Sequence, residues 1–264
     1  MARIIGQLEA SAIAWVQLRR RRVVGTGDLA TALRITPKQE RELLSRMTRS
    51  GMIAKVRRGL HLFPERLPLG GTWVPDDATA INALMTDRDA RYQITGLSAF
   101  NRYGYDQQIP SRISLYTDAL SGERRIGGTR LTLIKVDPRR LGATEVVTVP
   151  SGQTLVYSSR ARTLVDAVYD WSRFDTLPRA YGWIVDDIEQ GRVDPPDLVR
   201  TTIRYGNLGT IRRIGAILER VAVDEKILKR MTASVTRSTA KIPLVPNQPT
   251  RGEHVRRWGV VVND

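Results

Sequence analysis

Cysteine is absent from the 264-residue chain, and histidine occurs only as His61 and His254. The first absence excludes a disulfide framework, thiolate zinc sites and a cysteine nucleophile; the second leaves too few imidazoles for a histidine-built metal centre. No apolar run reaches 18 residues, so no membrane-spanning helix and no membrane partner are expected. The opening "MARIIGQLEASAIAWVQLRRRR" lacks the charged start, long apolar middle and small-residue cleavage site of a signal peptide. A cytoplasmic globular protein is expected, with 41% hydrophobic residues to build its core.

Acidic residues are scarce as well: 27 against 42 Lys and Arg, a net charge of +15. Such an excess points to a polyanionic partner. Residues 1–66 carry a net +9, residues 67–200 a net −1 and residues 201–264 a net +7. Only 6 of the basic residues are Lys. Coding bias toward GC accounts for Arg over Lys, but not for clustering at the two ends.

In the first quarter Ile4, Ile5, Leu8, Ala12, Trp15 and Val16 recur at three- and four-residue spacing, which predicts a helix of roughly 15 residues. Arg19 to Arg22 close it, placed either to solvate the helix end or to clamp a phosphate. "GTGDLATALRI" reads as a short helix with Leu29, Ala30 and Leu33 inward. In "TPKQERELLSRMTRSG" Thr36 is an N-cap, Pro37 the first helical residue, Gln39 completes a capping box and Gly51 ends the helix. Leu43, Leu44 and Met47 form its apolar side; Lys38, Arg41, Glu42, Ser45 and Arg49 gather opposite, flanked by Arg46. "MIAKV" and "LHLFP" then read as two strands around Arg57, Arg58 and Gly59. Two helices, a tight turn and a basic hairpin make a winged helix-turn-helix, predicted over residues 1–66. Its expected DNA-binding residues are Lys38, Arg41, Ser45, Arg46 and Arg49 on the helix, with Lys55, Arg57 and Arg58 on the wing. His61 is expected to be a packed strand residue.

Residues 67–78, rich in Pro, Gly and Asp, read as a linker, and residues 79–264 as a C-terminal domain. "TAINALM" and "TGLSAFNRYG" predict helices, the second ending at Gly104. "PSRISLYT", "TRLTLIKV", "TEVVTV" and "TLVYSS" predict extended segments. Helices follow over roughly 160–171, 177–190, 196–204, 208–221 and 224–233. The fold class is therefore α+β: a winged helix, then a mixed domain of a small sheet plus a helical bundle.

The order "RRGLHLFP", "YQITGLSAFNRYGYDQQIPSRISLYT", "SSRARTLVDAV", "LGTIRRIGAILERV" and "LVPNQPTRGEHVRRWGVVVN" resembles the AbiEi family, antitoxins of type IV toxin-antitoxin systems, over nearly the whole chain. The resemblance implies a bifunctional protein. Its winged helix would bind repeats in its own promoter and repress the operon, and its C-terminal domain would neutralise a nucleotidyltransferase-like toxin of the AbiEii type, in phage defence by abortive infection. The wing departs from the family pattern: His61 follows Gly59-Leu60 where Tyr is common.

A second basic face, Arg204, Arg212, Arg213 and Arg220, is expected along the late helices, either as solvated surface or as contact for DNA, for RNA or for an acidic partner. The carboxylate groups at 75–77, 86–89 and 185–189 lack the convergent pattern of a Mg²⁺ nuclease, and "GTG" and "IGG" lack phosphate-loop spacing. No enzymatic activity and no cofactor are expected. With roughly 6–10 phosphate contacts, DNA affinity would fall about 10³–10⁵-fold between 50 and 200 mM salt. The alternative is a dedicated winged-helix regulator with a sensing or oligomerisation domain and no toxin.

Overall fold

A computed structural model describes residues 5–68, 71–235 and 240–263. The chain begins with α1 (Gln7–Leu18), β1 (Val23–Gly25), α2 (Asp28–Leu33), α3 (Pro37–Arg49), β2 (Ala54–Arg57) and β3 (Leu60–Leu62). The three strands form an antiparallel sheet in the order β1-β3-β2. β1 went unpredicted because three residues are too few to display a period. The first core is built from Ala12, Val16, Val24, Leu29, Leu43, Leu44, Met47, Met52, Ile53 and Phe63. The apolar stripe on α1 is narrower than predicted. Ala12 and Val16 are buried, Trp15 is half-buried, and Ile5 and Leu8 stay 38% and 37% exposed. Ile4 lies outside the described residues.

One hydrophobic cluster bridges the connection at 67–78. Ala54, Val56, Leu60 and Leu62 of the hairpin share a buried cluster with Ala78, Ile81, Leu84 and Met85 of α4 (Asp77–Asp87) and with Ile94, Leu115, Ile126, Leu131, Leu133 and Leu155 beyond it. A boundary at residue 66 therefore cuts through one hydrophobic cluster. Within the connection, the Trp73 amide donates to the Gly51 carbonyl at 2.7 Å.

After α4 come β4 (Tyr92–Thr95), α5 (Leu97–Tyr103), β5 (Ile113–Thr117), β6 (Gly122–Ile126), β7 (Thr129–Lys135), β8 (Thr144–Thr148) and β9 (Thr154–Ser158). They make a mixed six-stranded sheet in the order β6-β7-β5-β4-β9-β8, with β5/β7 and β4/β9 parallel. Helices α6 (Arg160–Tyr169), α7 (Trp171–Phe174), α8 (Arg179–Glu189), α9 (Pro195–Tyr205), α10 (Leu208–Arg220) and α11 (Glu225–Ala233) then pack as a bundle on Leu164, Val165, Ile184, Leu198, Ile214 and Leu218. The last elements, β10 (Ile242–Pro243), β11 (Glu253–Val255) and β12 (Val260–Val262), form a small sheet ordered β10-β12-β11. Trp258 is buried in the bundle core and lies so close to α10 that a Cβ on Gly215 would meet its ring at 2.4 Å. The fold is mixed α+β with several sheets, and no helix among the described residues is long and apolar enough to cross a membrane.

Candidate functional site

Helix α3 carries the site. The Thr36 hydroxyl accepts from the Gln39 amide at 3.2 Å, the Gln39 side chain accepts from the Thr36 amide at 2.8 Å, and Pro37 occupies the first turn. With Leu43, Leu44 and Met47 buried, helical geometry leaves Lys38, Arg41, Ser45 and Arg49 facing solvent. These four line one shallow depression together with Glu42 and Arg46. Arg46 differs from its neighbours: its guanidinium lies 3.8 Å from the buried Glu9 of α1 and braces the two helices.

A second groove runs between α3 and the hairpin. Arg41, Ser45 and Arg49 form one wall; Thr26, Lys55, Arg58 and Gly59 form the other, and Leu44 and His61 lie among its lining residues. Gly59 takes φ +77, and a Cβ there would sit 2.4 Å from the Thr26 hydroxyl, which donates to the Gly59 carbonyl at 3.3 Å. Only glycine allows the hairpin tip to close onto that loop. Lys38, Arg41, Arg49, Lys55 and Arg58 make no ion pair among the described residues. His61 is packed in β3 as expected; its Nδ1 has no partner among the described residues. Burial first, and the charge of Lys55 second, hold its pKa below the ordinary 6.5, so the ring is neutral at pH 7.

Glu40 escaped sequence analysis. It is 1% exposed, and its carboxylate accepts from the amides of Gly27, Leu29 and Ala30 at 2.8, 2.9 and 3.1 Å. The N-cap of α2 is Gly27, which has no side chain to cap with, so a residue of α3 supplies the acceptor instead. This contact locks the short helix onto the long one. The signal available was an acidic residue near the inward side of an otherwise basic helix.

Arg57 is not a free cation of the hairpin. Its guanidinium donates to Asp87 at 2.7 and 2.6 Å and to the Arg58 carbonyl at 2.7 Å. The hydrogen bonds from Arg57 hold the Asp87 carboxyl below the usual carboxylate range, against a smaller opposing effect of burial. Arg57 pins the turn end of the hairpin to the end of α4, so of the three hairpin cations singled out in the sequence it is the one already engaged by a carboxylate.

The second basic face does not exist as predicted. Arg212 is 3% exposed and donates to the carbonyls of Trp258, Ala240 and Gly259 at 2.5, 2.6 and 2.5 Å. Arg213 is half-buried and donates to the Pro243 carbonyl at 3.2 Å. Both tie α10 to the C-terminal segment; only Arg204 and Arg220 are exposed. "RARTLVDAV" is likewise internal: Arg162 and Asp166 are fully buried, paired at 2.8 Å, and Arg162 also reaches the carbonyls of Gly142 and Arg140 at 3.2 and 2.8 Å.

The carboxylates serve structure too. Asp76 caps α4 by accepting from the Thr79 amide at 2.8 Å. Asp187 is buried against Arg160 and Arg192, while Asp186 beside it faces solvent. Among the described residues no group of three or more His, Asp or Glu side chains could hold a metal ion.

Residues 29–155 match DUF6088, described as a family of unknown function; the matched stretch is just under half of the chain. It starts in α2 and takes in α3, the hairpin, α4 and the sheet as far as the first two residues of β9. The fold is similar to the crystal structure of the RV2827C protein from Mycobacterium tuberculosis, with a TM-score of 0.59 and 15% sequence identity over 98% of this chain and 92% of that chain. Comparison with curated proteins gives no match.

Proposed function

We propose that this chain is a duplex-DNA-binding regulator whose first unit acts as a winged helix-turn-helix. In this reading α3 enters the major groove with Lys38, Arg41, Ser45 and Arg49, and the β2–β3 hairpin lays Lys55 and Arg58 on the flanking phosphates. The observation that carries it is the groove between α3 and the hairpin, where cations line both walls and make no ion pair among the described residues, while the one acid in the lining, Glu40, is taken up by the amides of Gly27, Leu29 and Ala30. Unpaired Arg and Lys release condensed counterions on meeting phosphate, whereas a cation already bound to a carboxylate trades one partner for another.

Counting Lys38, Arg41, Arg49, Lys55 and Arg58 as cations that each release counterions on reaching the duplex gives a log–log salt slope of about −4.5 and an affinity loss on the order of 500-fold between 50 and 200 mM salt. That is below the range from sequence alone, because Arg57 and Arg46 are engaged inside the protein. Fluorescence anisotropy on the DNA upstream of its own gene tests this, with Arg41→Ala/Arg49→Ala expected to reduce the slope by about 1.8 units. A flat salt response would overturn the DNA reading.

On the AbiEi-like resemblance the regulator is also an antitoxin: it represses its own operon and neutralises a nucleotidyltransferase-like toxin encoded beside it. The test uses the full chain, since removing residues 1–66 would strip the hairpin from the shared core. Co-expression of the neighbouring gene with the parent chain and with the Arg41→Ala/Arg49→Ala chain should rescue growth in both cases, while only the parent represses the promoter. Absence of rescue by the parent removes the toxin and leaves the regulator. One feature favours that second reading: a mainly apolar hollow between hairpin and α4, lined by Val23, Leu60, Leu62, Ala83, Asn82 and Gln153, lies where a small ligand would bear on the hairpin.

A further inference from the structure

The six-stranded sheet ends on two unlike edges. β6, "GERRI", carries Glu123, Arg124 and Arg125, and Arg112 pairs with Glu123 beside it. Charged side chains of this kind block strand addition. β8, "TEVVT", carries one charge and no Pro or Lys, and pairs with β9 in unbroken register over all five residues. Every β8 residue except Val147 is exposed, Val146 by 68%.

The hydrogen-bond parity of β8 is fixed by its two ends. The Val149 amide donates to the Gln153 carbonyl, and the Ala143 carbonyl accepts from the Ser159 amide, both at 2.8 Å. Odd-numbered residues therefore direct their backbone groups to β9. Thr144, Val146 and Thr148 direct theirs to the open edge.

We propose that β8 is the pairing edge for a second copy of this chain, running antiparallel about a two-fold axis at Val146. The strand is self-complementary about that point. Val146 meets its own counterpart, Thr144 meets Thr148, and Glu145 meets Val147, so the two carboxylates do not face each other. Three such pairs supply six inter-chain backbone hydrogen bonds, the outward groups matching donor to acceptor. Val146 sits beside Val156 on β9, so pairing aligns Val156, Val146 and their two counterparts in one apolar row, flanked by Thr–Thr contacts. A foreign strand would match the backbone but not this side-chain palindrome. The edge is short against the roughly 1,200 Å² of a stable interface, so the dimer is concentration-dependent. With a net charge of +15 on each copy, salt screens the repulsion and should strengthen pairing, opposite to its effect on DNA affinity. The inference does not depend on the DNA reading.

Sedimentation velocity of the full chain over a concentration series, at 50 and 300 mM salt, tests it. The expected result is a mass rising from 29.7 kDa toward twice that value, more steeply at high salt. Val146→Pro removes an amide that faces the open edge and leaves the β9 ladder whole; Val146→Lys adds the missing edge charge. Either variant, folded by circular dichroism, should remain at one-chain mass. A parent chain that is monomeric up to its solubility limit, or association that persists in both variants, would overturn the proposal.

Discussion

Replacing Glu40 by Ala tests the arrangement of the first unit more directly than any change in its apolar core. The carboxylate accepts from three amides, of which that of Leu29 is buried and those of Gly27 and Ala30 are partly so. Loss of a helix cap costs about 1–2 kcal/mol, and a buried amide left without an acceptor about 1–3 kcal/mol. Gly27 and Ala30 regain water and add little, so the expected total is about 2–5 kcal/mol. Glu40→Gln keeps one acceptor oxygen and the shape of the side chain, and should cost roughly half as much. Urea unfolding at pH 7 reads the total, and hydrogen exchange at the Leu29 amide reads its location. Because the Thr26 hydroxyl holds the hairpin tip and the next residue, Gly27, donates to Glu40, the neighbouring pairing of Gly25 with Leu60 should loosen too. A change below about 0.5 kcal/mol in Glu40→Ala, with Leu29 exchange unaltered, would refute the argument.

Arg57 and Arg58 are neighbours with opposite expected behaviour. Arg58→Ala should lower the salt slope of DNA binding by about 0.9 and leave stability unchanged. Arg57→Ala should leave the slope unchanged and lose about 1 kcal/mol of coupling to Asp87 in a double-mutant cycle, a figure discounted because the Arg57 side chain is 39% exposed. Equal slopes for the two variants would show that the hairpin contacts are wrongly assigned. His61 gives a pH test. Its folded pKa lies below the unfolded 6.5, so the neutral form is favoured by folding. Stability should be constant above pH 6.5 and fall as pH drops through 6.5 toward the lower folded value. His61→Phe should flatten that slope in a denaturation series from pH 7.5 to 5, and an unchanged slope would assign it to other groups.

The long helices were legible because capping and 3.6-residue periodicity are local. Thr36, Pro37 and Gly51 bracket α3 within two residues of its ends, and α8 to α11 fall close to their predicted spans. β1, β4, β6 and the three C-terminal strands were not, since strands of two to five residues owe their existence to partners far along the chain. The same contrast governs the candidate site. Which residues of α3 face outward follows from its buried Leu43, Leu44 and Met47. Which arginines are already engaged does not: Arg57 finds Asp87 thirty residues away, and Arg212 finds carbonyls 28 to 47 residues away.

Net charge by itself therefore locates little in this molecule. The C-terminal excess suggested a basic face, yet Arg212 and Arg213 spend their hydrogen bonds on backbone carbonyls and Arg257 pairs with Glu225 at 2.8 Å. In the middle of the chain Arg91, Arg140, Arg160, Arg162 and Arg192 are held by Asp118, Asp166 and Asp187. An arginine in such a position organises the fold through its planar donors, and its charge is largely cancelled at short range. The groove of α3 and the hairpin differs because its carboxylate, Glu40, is turned inward to cap α2 and leaves Arg41, Arg49, Lys55 and Arg58 uncompensated. One buried acid thus does two things: it fixes the angle between the helices, and by facing away it keeps the surface positive where a polyanion would lie.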